Sequence, residues 1–421
     1  MVTLLHLSDI HFNEDDVNTA MDPNFHLRHT LLEDVRKMRA KLGVSPDIIV
    51  VSGDIAYHGS SPEFSFAANW FEELCQAAHA TLDRIFVVPG NHDVVRKIAA
   101  KPVVLALHKQ IKEAPALTID ATIRGLLADP DAGEYLYESL RNYNAFASQF
   151  FCDLTPPEGT IARRNLRLND GSRLRILGLN STFVSSEADR KGDLFVDPAA
   201  MQLTNERGTV NLVVWHHGFT WLRNGDTLSD HLNSISSLQL FGHEHTVRID
   251  LNRDWVRVGA SAMHPDKSEG NWSPGYNWIQ LKVDGAPTQR KLLAQIHVRV
   301  WQPNPPLFQP LRDRYDEDIF VHSVPLEPWI SSEAPPTLGD QPLSPEPAIL
   351  ADHMDSLRSL SIRFYRLSLS QKAEIAGSLN LLREEDQNEP DFVRFKRALI
   401  RAREEGLIAS LEEAIKKAET K

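Results

Sequence analysis

Three runs near the start of the chain are apolar almost without a break: TLLHLS (3–8), DIIVVS (47–52) and RIFVVP (84–89). Runs this short and rich in β-branched residues predict strands buried on both faces. Between them, FHLRHTLLEDVRKMRAKLG (25–43) and PEFSFAANWFEELCQAAHA (62–80) carry apolar residues at helical spacing. Gly43 closes the first and Pro62 opens the second, as helix ends prefer. Strand–helix–strand alternation predicts an α/β fold with parallel strands and right-handed crossovers.

Residues 97–150 read as helical, above all EYLYESLRNYNAFASQFF (134–151), and as an insertion over one end of the sheet. Strand patterning returns in RLRILGLN (173–180), TVNLVVWH (209–216), SLQLFG (237–242), WVRVGA (255–260), GYNWIQLKV (275–283) and LLAQIHVRVW (292–301). So many late strands predict a second sheet packed on the first, within a domain spanning 1–301. Eleven of the 25 prolines fall between 303 and 347. Such a segment sustains neither helix nor central strand, so 302–350 is expected to wrap the domain and then act as a linker. Residues 351–421 hold four helical segments, DHMDSLRSLSIRFYRL, SQKAEIAGSLNLLREE, EPDFVRFKRALIRAREEG and LIASLEEAIKKAE, and predict a small all-α module.

Composition narrows the class. A chain of 421 residues with 42% apolar content has room for a large catalytic domain and smaller units. The first 20 residues lack the apolar run of a signal peptide, no stretch approaches a membrane span, and two cysteines make no disulfide framework. The reading is a soluble cytoplasmic protein with no membrane partner. Net charge is −12, but 302–350 carries −6 and 351–421 is neutral. The total argues against a generic nucleic-acid coat, but this distribution leaves only a mild excess on the first 301 residues, which weakens the argument and leaves the substrate open.

The polar residues at strand ends change the picture more. The early strands run into Asp9-Ile10-His11, Gly53-Asp54 and Asn91-His92-Asp93; two later ones end in His216-His217 and Gly242-His243-Glu244-His245. Any one is as well explained by a helix cap or a packed imidazole. Five at strand ends fall where open α/β sheets bind ligands. Residues two apart on an extended segment point the same way, so Asp9 with His11 and His243 with His245 are expected to address one metal cluster. Gly90 is assigned to a tight turn. Carboxylate mixed with imidazole suits Mn, Fe or Zn.

The ordered set D-x-H, GD, GNHD, H and GHxH resembles the calcineurin-like metallophosphoesterase superfamily over roughly residues 1–300, and SGDIAYHG and VPGNHDVVR look like bacterial phosphodiesterase-type members. The resemblance implies a two-sheet β-sandwich flanked by helices. It implies two divalent metal ions, one held by Asp9, His11, Asp54 and His245. Asp54, Asn91, His216 and His243 would hold the other. It further implies phosphodiester hydrolysis by metal-activated hydroxide, with His92 as acid and Asp93 orienting its ring. The His216-His217 doublet offers two candidates for one ligand; His216 is chosen, and His217 is either substrate-side or packed.

Other residues carry two readings each. His58 and Asn180 either line the crevice or are ordinary loop residues, and Arg96 either reaches a phosphate or is solvated. His26, His29, His79 and His108 read as surface or packing residues. Arg163, Arg164, Arg167, Arg173 and Arg175 either track a nucleic-acid backbone or alternate along a solvated strand. The substrate is nucleic acid or a nucleotide, the alternatives being a cyclic nucleotide or other small diester, or a scaffold without catalysis. The C-terminal helices resemble the small effector-associated adaptor domains of bacterial conflict systems, which implies a protein partner through 351–421 and an effector role in defence; a helical cap is the alternative.

Overall fold

The computed structural model describes residues 1–17, 19–20, 22–264, 274–330 and 348–420. The apolar runs become β1 (Val2–Leu7), β2 (Ile48–Val51) and β3 (Ile85–Val87), buried along their whole length and parallel to one another. Their crossovers are α1 (Phe25–Leu42) and α2 (Ser61–Ala78). Gly43, at φ 68°, caps α1, and Ser60 forms a capping box with Glu63 ahead of Pro62.

The expected insertion is five helices: α3 (Arg96–Ala99), α4 (Pro102–Lys112), α5 (Ile119–Ala128), α6 (Pro130–Glu138) and α7 (Arg141–Ala147). The stretch 134–151 is not one helix. The Ser139 carbonyl accepts the Val95 amide at 2.9 Å, and the chain breaks there into α6, α7 and a 3-10 turn at Ser148–Phe150.

The second sheet is built from β4 (Ile161–Arg167), β5 (Arg173–Leu179), β6 (Thr209–Val214), β7 (Leu238–Phe241), β8 (Arg248–Leu251) and β9 (Val256–Gly259), with α8 (Gly225–Ile235) between β6 and β7. Its order is β4-β5-β6-β7-β9-β8, parallel from β5 to β9 with antiparallel edges. The chain then returns to the first sheet as β10 (Gly275–Asp284) and β11 (Lys291–Pro303), giving β11-β10-β1-β2-β3. Two strands escape the sequence reading here, β12 (Pro306–Pro310) and β13 (Phe320–Pro325), which pair along the outer edge of β11. The prolines close the ends of these edge strands, where a missing N–H costs no ladder bond.

One continuous apolar core fills the space between the sheets and under the flanking helices. The C-terminal helices α9 (Ala348–Arg366), α10 (Leu369–Ser378), α11 (Asp391–Glu404) and α12 (Ile408–Glu419) enclose a second core around Leu357, Phe364, Phe395, Leu399 and Leu411. This module also touches the sandwich. Ile362 of α9 enters the main core, Phe151 packs against the helical core, and Lys396 pairs with the buried Asp153 at 2.8 Å. Residues 331–347 of the expected linker lie outside the described residues. Among the described residues no helix is long and apolar enough to cross a membrane.

Candidate metal centre

β1, β2, β3, β6 and β7 point their carboxyl ends at one crevice, and all five polar strand ends meet there. The backbone at these positions is strained. Asp9, His11, Asp54, His243 and His245 all have positive φ, between 51° and 67°; they make five of the nine such non-glycine residues among those described. A side chain in this region costs on the order of 1–3 kcal/mol and persists only where the surroundings dictate it. The expectation of extended D-x-H and H-x-H segments is therefore corrected: both pairs sit on left-handed turns. Gly90 also has another reason than the one expected. Its φ of −108° suits any residue, but a Cβ there would lie 2.1 Å from Asp54 Oδ1.

The floor of the crevice is buried: Asp9, Asp54, His216 and His217 are at most 1% exposed and His11 is 8% exposed. Asn91, His92, His243 and His245 form a half-open rim. Asp54 Oδ2 lies 3.2 Å from Nε2 of both His11 and His216, and Asp9 Oδ1 lies 3.3 Å from His245 Nε2. Asn91 Oδ1 lies 3.2 Å from His216 Nε2 and 3.1 Å from His217 Nε2. Donor atoms around a single ion bound at about 2.1 Å are separated by roughly 3–3.4 Å, so these spacings fit shared cations. Four overlapping sets of side chains cluster this tightly: His216, His217 and His243; Asp9, His11 and His245; His11, Asp54 and His92; Asp9, Asp54 and His216.

Two imidazoles are aimed from behind. His11 Nδ1 donates to the His264 carbonyl at 2.9 Å and His216 Nδ1 to the Ser52 carbonyl at 2.8 Å, which turns each Nε2 to the crevice and to Asp54. Asp9 Oδ1 is buried with the His245 ring nitrogen beside it, an acceptor that a cation between the two would satisfy. Burial opposes charge on His216, yet Asp54 and Asp9 outweigh it and push its pKa up to about 9. Burial would raise the carboxyls of Asp9 and Asp54 too, but His216 holds both below the usual carboxylate range. Burial and neighbouring imidazoles push His243 down to about 3 and His217 well below its usual value. The floor thus attracts positive charge and offers neutral lone pairs to it.

His92 stands at the rim with Nδ1 donating to the Tyr57 carbonyl at 2.9 Å and its ring stacked on Tyr57, 5.0 Å between centroids. Asp93 does not orient that ring, which corrects the expected role. Its carboxylate accepts the amides of Ala56 and Gly90, each at 2.8 Å, and so ties the β3 turn to the β2 turn. Burial, then the charge of Asp54, raises Asp93 to about 7. His217 is packed and also faces the cluster, with Nδ1 2.9 Å from Ser181 Oγ. Tyr57, Ser181, Trp221 (ring 4.4 Å from that of His243) and His264 escaped the sequence reading, because no motif marks a residue that serves through a carbonyl, a hydroxyl or a ring edge.

The remaining candidates are not among the clustered donors. His58 is exposed, and Asn180 Oδ1 is turned to Thr182. His26, His29 and His79 are exposed and His108 is buried in α4. Arg96 opens α3, close enough to His92 to oppose its charge. The arginine-rich stretch is the β4–β5 hairpin. Arg163, Arg167 and Arg173 are exposed, Arg175 binds Asn211 and Glu206, and Arg164 turns inward to the carbonyls of Asp83 (2.8 Å) and Phe150 (2.9 Å).

Comparison with known proteins accords with this geometry. A family model described as calcineurin-like phosphoesterase matches residues 2–247, and one described as GTPase-associated adaptor domain matches 356–417. No curated protein matches. Solved structures similar to the chain include a 5'-nucleotidase described as putative from Staphylococcus aureus, solved with alpha-ketoglutarate (12% identity, 85% of this chain and 58% of that one, TM-score 0.34). Zinc-complexed Vps29 from Entamoeba histolytica is another (7% identity, 77% and 99%, TM-score 0.30), as is Vps29 from Chaetomium thermophilum (10% identity, 78% and 100%, TM-score 0.30). The family model spans more than half of the chain, and the candidate His and Asp clusters suit the divalent metals on which such phosphoester hydrolases typically depend: the chain belongs to the calcineurin-like phosphoesterase family.

Proposed function

We propose that the chain is a two-metal phosphodiesterase acting on nucleic acid or a nucleotide. The observation that carries this is Asp54, whose Oδ2 stands 3.2 Å from imidazoles of both halves of the cluster. Asp9, His11, Asp54 and His245 would hold one ion, and Asp54, Asn91, His216 and His243 the other, with His217 against the second group. Mn, Fe or Zn suits this carboxylate and imidazole set. Divalent ions bound there would supply Lewis acidity and an activated water. The protein's own part is to aim these donors through the Ser52 and His264 carbonyls and to hold a proton beside the leaving group. Because the Tyr57 carbonyl can only accept, His92 carries its fixed proton on Nδ1. Nε2 is the atom that would first take a proton from solvent, against the burial that disfavours the charged ring, and then pass it to the leaving oxygen.

The helical insertion reaches the rim beside His92, where Asn142 donates to the Gly59 carbonyl at 2.9 Å, so it is expected to select the substrate's shape. We also assign the C-terminal helices the role of an adaptor for a protein partner, with the phosphodiesterase as an effector in bacterial defence. The test is a panel with Mn²⁺: bis-p-nitrophenyl phosphate, p-nitrophenyl phosphate, cyclic nucleotides, RNA, and single- and double-stranded DNA. Hydrolysis of diesters over the monoester is expected. Hydrolysis of the monoester alone would overturn the diester reading, and the polymer and small-molecule arms separate the two substrate classes.

A further inference from the structure

The turn that carries Asp9 and His11 is gripped from two sides. From the end of β2, the carbonyls of Gly53, Asp54 and Ile55 accept the amides of Asp9 (3.0 Å), Ile10 (2.8 Å), His11 (3.0 Å) and Phe12 (3.0 Å). The other grip comes from the second sheet, just beyond β9. There the amides of Met263 and His264 donate to the Asp9 carbonyl at 3.0 and 3.1 Å. His11 Nδ1 donates to the His264 carbonyl at 2.9 Å, and His264 Nδ1 donates in turn to the Ile10 carbonyl. His264 is 5% exposed, and its Nε2 has no partner among the described residues. Ile10 lies between two residues in left-handed backbone, and its carbonyl is the group of this turn that a side chain reaches.

We propose that His264 is a positioning residue: its ring donor locks the strained D-x-H turn, and its carbonyl aims the Nε2 of His11 at the metal. The inference rests on the two-metal reading above. Two left-handed side-chain-bearing residues are strained, and the ring donor adds to the backbone grip that holds them. Without it the turn relaxes and the donors of Asp9 and His11 separate. The group of Asp54, Asn91, His216 and His243 meets this turn at the edges of the Asp9 side chain, whose Oδ2 accepts the His243 amide at 3.1 Å, and at Asp54, so an ion bound there is expected to be affected less.

The test is calorimetric titration of the EDTA-stripped full chain with Mn²⁺. The wild type should bind two ions; if it binds none, the two-metal reading fails before any variant is compared. His264→Leu should weaken one of the two sites by about 10–100-fold, the usual effect of losing an outer partner of a metal ligand, and change the other by much less. His264→Asn places an amide nitrogen where Nδ1 stood and should restore most of that affinity. Should His264→Leu fail to fold by circular dichroism, His264→Asn against His264→Gln decides, because Gln sets its amide at the Nε2 position and should lose affinity where Asn keeps it. Wild-type affinity in His264→Leu, or equal affinity of Asn and Gln, overturns the proposal.

Discussion

Asp54 is the side chain on which both halves of the centre converge, its Oδ2 equally close to His11 and His216. Asp54→Asn keeps the shape and removes the charge. It is expected to abolish diester hydrolysis more fully than any other single ligand change and to lower metal content at both sites, as elemental analysis of the purified protein would show. Two retained ions with near-normal turnover would mean that Asp54 is not shared. His92→Ala should keep its metals and lose a factor of about 10²–10⁴ in turnover, the worth of a positioned general acid. That loss should shrink for a p-nitrophenolate leaving group, which needs little protonation; equal losses on good and poor leaving groups would remove the acid role. The roles came only from the family resemblance; the place of these side chains at strand ends was legible in the sequence. The left-handed backbone of Asp9 and His11 was not, because it is set by carbonyls such as that of Asp54, 43 to 44 residues away along the chain from His11 and Ile10, whose amides it takes.

At the scale of elements, the buried strands β1 to β3 and their crossover helices announce themselves by pattern, whereas β4 hides behind its arginines. Arg164 interrupts the expected alternation because its guanidinium crosses buried space to the Asp83 and Phe150 carbonyls and lies 5.8 Å over the Phe86 ring. Arg164→Met should therefore cost about 1–3 kcal/mol in urea unfolding, the cost of the Asp83 carbonyl losing this donor, since the Phe150 carbonyl keeps the Cys152 thiol at 3.6 Å. Metal content should not change. If Arg164 instead served a nucleic-acid track, the variant would keep its stability and lose affinity for DNA. The proline-rich segment shows the converse limit: its composition excludes a central strand, and only the free edge of β11 makes β12 and β13 possible.

At the scale of the whole molecule, the four C-terminal helices enclose their own core and also dock on the sandwich. The dock is α9 against the turns at 82–84 and 148–150, the first of which leads into β3 and the second of which ends α7. A chain ending at Asp340 should fold and hydrolyse a small diester, but with a lower melting temperature, because Ile362 leaves the main core and Asp153, 5% exposed, loses Lys396. Residues 348–421 alone should be helical by circular dichroism on the strength of their separate core. If the shortened chain aggregates and the isolated helices do not fold, the module is a cap and the adaptor reading should be dropped.

What the sequence by itself determined is local or repetitive: which runs are buried strands, which are helices, and which residue types wait at the strand ends. These follow from side-chain pattern and from the narrow set of residues that bind metals. What only the tertiary structure decided is how distant segments constrain one another. The removal of Asp93 from the ring of His92, the grip of His264 on the D-x-H turn, the close approach that requires Gly90 and the docking of α9 all depend on contacts between parts of the chain far apart in order. Such contacts form when burial forces each polar group to find a partner, and nothing in the spacing of residues along the chain says which partner that will be.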